Sequence, residues 1–285
     1  MKRYCVIALL LALVTALMLT GCGGDAQPET EAPTEVNAHE GENICLFEND
    51  ACSYTLLGSS ENALGDYIWN VQLVNKTAQT LVFSMDHVYL NDCKLDPYWA
   101  TEVAAGQTVQ SAVTWSCSAM VACELTDRVR VDFVLTTYPP ESYGNNLAEA
   151  QITAYPKGEA AYFAEVRPAH PTDITLMDTD EYTVIATGLD PESDWGCTLS
   201  LYLVNKTGQD VLFRLDNARI NGQYFDPGWL SSLAGGKRSF ESISWLQSDL
   251  AAKEITQVTE LSFDVAVCTA DGSRVLQQEH AALKP

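Results

Sequence analysis

Seven cysteines beyond Cys5 and Cys22, two recurring sets of carboxylate and amide side chains, and four histidines are the groups in this 285-residue sequence able to form a bridge, hold a cation or move a proton. Cys45, Cys52, Cys93, Cys117 and Cys123 lie in the first half, and Cys197 and Cys268 in the second. In an oxidising compartment such cysteines read as disulfides. No pair has the close spacing common in structural zinc sites. The sequence suggests Cys197–Cys268, Cys45–Cys52 and Cys117–Cys123, with Cys93 left over. One feature opposes the first pairing: strand alternation turns Cys197 inward and Cys268 outward, so a bulge is required.

Asp86, Asn91 and Asp96 recur as Asp216, Asn221 and Asp226. Clustered carboxylate and carbonyl oxygens suit a hard cation, so Ca²⁺ at Asp86 with Asp96, and at Asp216 with Asp226, is one reading. The other is architectural: an Asp at a bulge, an Asn in a turn and an Asp before proline each satisfy local backbone. Groups shared by two copies of one fold serve the fold first, so no cofactor is expected. His39, His87, His170 and His280 do not cluster, and none lies in H-E-x-x-H. Nucleophile-elbow, phosphate-loop and dinucleotide motifs are also absent, which points away from an enzyme.

These groups are positioned by a duplication. Residues 44–138 lie over 174–268 at a constant offset of 130 without a gap, and 15 of 45 positions are identical between 71–115 and 201–245. A period this long gives each copy its own core. Each copy reads as strands: Tyr67, Trp69, Val71 and Leu73 alternate with polar neighbours, as do Cys197, Leu199, Leu201 and Leu203. VNKT follows in both copies, at Asn75 and at Asn205, and its turn formers make a hairpin. Asn75 and Asn205 match the glycan-acceptor pattern, but the shared strand-to-turn position identifies them as a landmark of the fold. Asn91-Asp92 and Asn221-Gly222 predict type I′ turns. A shift of inward parity near Asp86 and Asp216 predicts a bulge in each copy. Short alternating strands with frequent turns predict a β-sandwich, and no long amphipathic helix is evident.

The runs FSMDHVYLNDCKLDPYWATEVAAGQ and FRLDNARINGQYFDPGWLSSLAGGK resemble immunoglobulin-like modules of surface lipoproteins from Gram-positive bacteria. The resemblance implies an all-β chain of two tandem immunoglobulin-like β-sandwiches, at 44–155 and 174–285. It implies no enzymatic role. The intervening 156–173 reads as a linker whose YFAEV has the character of an added strand.

The N-terminus places the chain. Lys2 and Arg3 precede an apolar run and then LTGC, so residues 1–21 read as an export signal. LTGC resembles the lipobox of bacterial lipoproteins, which implies lipidation of Cys22 and anchoring at a membrane. Residues 22–43 are acidic with few large apolar side chains, and read as a flexible tether. Loss of the signal leaves 14 basic against 38 acidic side chains, a formal charge of −24, without the basic footprint that nucleic-acid binding needs.

The expected role is therefore a lipid-anchored, extracytoplasmic binding or adhesion-type protein with a protein, peptide or glycan ligand. A structural spacer or envelope-complex subunit is the second reading, and a hydrolase with a loop-borne site the third. Trp99, Trp115, Trp229 and Trp245 recur and belong to the cores. Tyr98, Tyr143 and Trp195 do not recur, so a ligand-binding aromatic patch would draw on these three.

Overall fold

The computed structural model describes residues 34–37, 43–142, 144–164 and 166–285. The signal, Cys22, most of the tether and Tyr143 lie outside them. β1 (Thr34–Asn37) comes first. The first repeat then supplies β2 (Ile44–Glu48), β3 (Cys52–Glu61), β4 (Tyr67–Asn75), β5 (Leu81–Leu90), β6 (Cys93–Lys94), β7 (Ala100–Val103), β8 (Thr108–Trp115), β9 (Val131–Tyr138) and β10 (Ala148–Tyr155). The second supplies β11 (Ile174–Asp178), β12 (Tyr182–Ser193), β13 (Gly196–Asn205), β14 (Val211–Ile220), β15 (Gln223–Tyr224), β16 (Leu230–Leu233), β17 (Arg238–Leu246), β18 (Leu261–Thr269) and β19 (Val275–Leu283).

The fold is all-β and immunoglobulin-like. In the second repeat β17-β13-β12-β11 form one layer and β15-β14-β18-β19 the other, with β16 also on β14. The chain leaves the first layer after β13, lays down β14 to β16, and returns to pair β17 with β13. This Greek-key crossing gives a sandwich its handed connectivity. The first repeat has the same plan, with β2-β3-β4-β8 in one layer and β10-β9-β5 in the other. Alternation sets which side chains meet between the layers: Tyr67, Trp69, Val71 and Leu73 of β4 are all buried. Trp69 stands edge-on to Trp115 and to Phe133, tying the two layers of the first core together. The second core is mostly aliphatic around Phe213 and Phe263, and it also takes in Tyr89 from the first repeat.

Both predicted bulges are present. Pairing of β5 with β9 slips between Asp86 and Tyr89, and pairing of β14 with β18 slips between Asp216 and Arg219. The extra residues His87 and Asn217 take positive φ, at 50° and 55°. The following turns have positive φ at both central residues, Asn91-Asp92 and Asn221-Gly222, as a type I′ turn requires.

Four expectations need correction. Thr34–Asn37, assigned to the tether, pairs parallel to Ile152–Tyr155 of β10. Tyr162, Phe163, Ala164 and Val166 form no strand; Tyr162 instead turns its ring toward Arg130. Two helices of six residues, α1 (Cys117–Ala122) and α2 (Gln247–Ala252), stand at equivalent places and were not foreseen.

The suggested disulfide pairs are also corrected, since no disulfide joins any two of the described cysteines. Cys45 is exposed opposite Thr55, whereas Cys52 is buried three residues further along β3 with its thiol against Thr137. That separation is roughly 10 Å along a strand, beyond the ~7 Å Cα limit for a bridge. Cys197 and Cys268 are both buried, but on different faces. Cys197 is in the core, whereas β18 pairs regularly with β14 and leaves Cys268 on the face opposite core residue Val267, the register shift beside it falling at Leu276 of β19. They also lie at opposite ends of the sandwich. Cys197 pairs with Trp245 beside α2, while Cys268 pairs with Leu212 just past the Asn205 turn. Eight strand residues, roughly 26 Å, separate those ends. Cys117 and Cys123 stand at opposite ends of α1, and the Cys123 sulfur is hydrogen-bonded to Cys93 instead.

Candidate functional site

The carboxylates suggested for Ca²⁺ all have protein partners. Asp86 accepts from Thr136 and Asp216 pairs with Arg214. Asp96 and Asp226 each accept from the backbone N–H two residues on, at Tyr98 and Gly228. Among the described residues no three His, Cys, Asp or Glu side chains converge to hold a metal. Asn91 and Asn221 are hairpin anchors: Asn91 Oδ1 accepts from Val129 and Arg130 N–H while Nδ2 donates to Asp127, and Asn221 repeats this with Thr259, Glu260 and Gln257.

Two histidines have carboxylate neighbours. His280 Nδ1 lies 2.7 Å from Asp264, and His170 Nε2 lies 3.2 Å from Glu124. Asp264 is held low by the Asn217 amide and then by His280 itself. Both imidazoles are exposed, and no hydroxyl or thiol hydrogen-bonds either one among the described residues. A base without an adjacent nucleophile or an enclosing cleft makes a surface ion pair.

The densest polar cluster lies between the repeats. Lys237, 9% exposed, donates to Asp92 Oδ1 at 2.7 Å and Asp132 Oδ2 at 2.6 Å, and its ammonium stands over the Tyr89 ring. Arg130 pairs with the same two carboxylates, Thr153 donates to Asp132, and the Tyr162 hydroxyl donates to Asp92. Burial pushes Asp92 up, but the Lys237 charge, the hydrogen bonds from Lys237 and Tyr162, and Arg130 outweigh it and hold the carboxyl below its ordinary value. Arg238 N–H donates to Asp92 O at 2.9 Å and pairs parallel with Cys93. Beside this, Arg167 is clamped by Asp173 and Glu124 under the Tyr202 ring. Two cations facing two carboxylates leave nothing for a ligand to complete. This cluster is a seam.

What the seam covers in the first repeat is open in the second. The end of the first repeat carrying the Asn91 hairpin and α1 docks on the second; the equivalent end, with the Asn221 hairpin and α2, faces outward. Trp195 projects there, 70% exposed, at the tip joining β12 to β13. Its carbonyl accepts from Gln247 N–H at 2.9 Å, which fixes the tip against the start of α2. Gly196 makes this approach feasible: a Cβ there would stand 2.3 Å from Trp245 O. Leu246 and Tyr224 are half-exposed on the same end. Beside them a cleft of about 350 Å³ is lined by Pro191, Glu192 and Ser193 of the hairpin, Gln247 and Leu250 of α2, and Ile255 to Val258. The first repeat has Gly65, Ser116 and Lys94 where the second has Trp195, Leu246 and Tyr224.

Of the aromatics predicted to bind, Trp195 thus belongs to an apolar end surface. Tyr98, 93% exposed, stands at the Asp-Pro corner of the first repeat. The cleft escaped the sequence reading because α2, which walls it, is too short to leave a periodic signal.

No family model and no curated protein matches the chain. Among solved structures it is similar to a Salmonella enterica SafA pilin in complex with the SafB chaperone, at 11% identity over 83% of this chain and 98% of that one, with a TM-score of 0.25. It is also similar to the E. coli chaperone DraB, at 10% identity over 74% and 88% of the chains and a TM-score of 0.22. A Porphyromonas gingivalis protein of unknown function matches at 10% identity over 82% and 99%, with a TM-score of 0.23.

Proposed function

We propose that the chain is a non-catalytic, lipid-anchored extracytoplasmic protein, with Cys22 as anchor and two immunoglobulin-like modules, that binds a peptide, protein or glycan at the outward end of its second repeat. The supporting observation is the apolar end surface of Trp195, Leu246 and Tyr224 beside the 191–193/α2 cleft. An exposed aromatic set into a surface with its own cleft is how binding sites distinguish themselves from scattered surface apolar residues. A soluble form beginning at Gly23 should retain ligands on glycan and peptide arrays, and Trp195→Ala should weaken retention at least about tenfold, the loss of a single aromatic anchor. Tyr98→Ala should leave it unchanged. Retention of nothing, or equal retention by Trp195→Ala, sinks the proposal. The second reading is a spacer, and the seam favours it: a chain whose repeats are joined by buried ion pairs holds its ends at a set separation.

A further inference from the structure

We propose that Cys93 and Cys123 are a disulfide-forming pair, which joins the β5–β6 hairpin to the C-terminal end of α1 when the protein meets a small-molecule disulfide. Three observations carry this. The two sulfurs are hydrogen-bonded to each other in the folded chain, and both residues are buried, Cys93 completely and Cys123 at 6% exposure. The second repeat shows independently that the fold itself brings these positions together: Gln223 and Lys253 replace the two cysteines, and Gln223 Nε2 donates to Lys253 O at 3.3 Å. The hairpin is also fixed to the segment after α1 through Asn91 and the N–H groups of Val129 and Arg130, so the sulfurs are held in place by neighbours on both sides.

The remaining cysteines lack this arrangement. Cys52 and Cys197 sit in the cores and Cys268 is buried on the other face of β18, all with thiols raised by burial, which keeps them protonated and inert. Cys123 moves the other way: its hydrogen bond with Cys93 lowers it against the cost of burial, and Arg238 nearby assists. Cys123, at 6% exposure the more accessible of the two, is the attacking group. Its thiolate attacks one sulfur of the donor disulfide, forming a mixed disulfide and expelling the first donor thiolate. The Cys93 thiolate then attacks the Cys123 sulfur, closing the protein bridge and expelling the second. The two protons lost by the cysteines end on the two released thiols, and the donor takes the two electrons. Because both groups are buried, the exchange runs while the chain folds or the hairpin opens.

The test is to purify the full chain with reductant, incubate it with oxidised glutathione, alkylate the remaining thiols under denaturing conditions, and map the peptides without reduction. The expected result is one linked peptide pair, Cys93 with Cys123, and alkylated Cys45, Cys52, Cys117, Cys197 and Cys268. Alkylation of both Cys93 and Cys123, or a bridge from Cys123 to Cys117, overturns the proposal. The melting temperature supplies a second reading: reduction should lower that of the oxidised wild type and leave Cys93→Ser/Cys123→Ser unmoved. A wild type that melts identically when oxidised and reduced overturns the joining role.

Discussion

Asn75 and Asn205 show how much one side chain settles in this fold. Each is buried, and each Nδ2 donates to three carbonyls: Gln79, Val103 and Ala104 in one repeat, Gln209, Leu233 and Ala234 in the other. Each Oδ1 also accepts from the N–H and hydroxyl of the Thr two residues on. No atom is left for a glycan. Asn205→Ala would strand buried carbonyls, each costing about 1–3 kcal/mol when unpaired. The variant should lose at least about 2 kcal/mol in urea titration, and Asn205→Asp, which removes the donors but keeps the shape, should lose a comparable amount. The sequence reveals the turn, because Thr77 and Thr207 follow only two residues after Asn75 and Asn205. It does not reveal the bonds to β7 and β16, whose carbonyls lie 28 residues away.

Among the strands and turns, pairing geometry decides which substitutions are tolerated. Gly196 has φ near +127°, and an added Cβ would strike Trp245 O and Gln247 N. Gly222 also has positive φ, but open space around it. Gly222→Ala should cost roughly 1 kcal/mol, the backbone penalty alone. Gly196→Ala should cost clearly more in the same thermal melts, because it must part β13 from β17, and it should displace Trp195. Strands, type I′ turns and both bulges were legible beforehand, because a two-residue period and a parity break are visible in one strand alone. The short helices were not, since six residues span less than two turns and show no helical period. The cysteine pairings failed for a related reason. Sequence proximity suggested Cys117 for Cys123, while a hairpin 30 positions upstream supplies Cys93.

Across the molecule, the seam makes one body of two similar halves. Lys237→Met removes one cation of a buried ion cluster and leaves Arg130 to balance both Asp92 and Asp132. Such a loss costs about 3–5 kcal/mol, and the variant should unfold in two steps where the wild type unfolds in one, as followed by tryptophan fluorescence in urea. The pH dependence has a definite sign. Asp92 is depressed on folding, so its contribution is complete above its unfolded pKa of about 4 and is lost as pH falls through its lower folded value. Asp173, brought to about 2 chiefly by its hydrogen bond from Arg167, follows the same course. Urea midpoints should therefore fall as pH drops below about 4, and Asp92→Asn should flatten that fall; an unchanged slope would refute the role given to Asp92. The duplication was plain from the sequence but the seam was not, because its residues are the ones the copies do not share. The first repeat has Gln107 and Thr108 in place of Lys237 and Arg238, and the second has Gly222 and Ser262 in place of Asp92 and Asp132. A head-to-tail contact that recurred on every copy would be heterologous and open-ended, adding molecule to molecule as a filament. Among the described residues each mating surface occurs once and is consumed inside its own chain, so this contact cannot repeat from one molecule to the next.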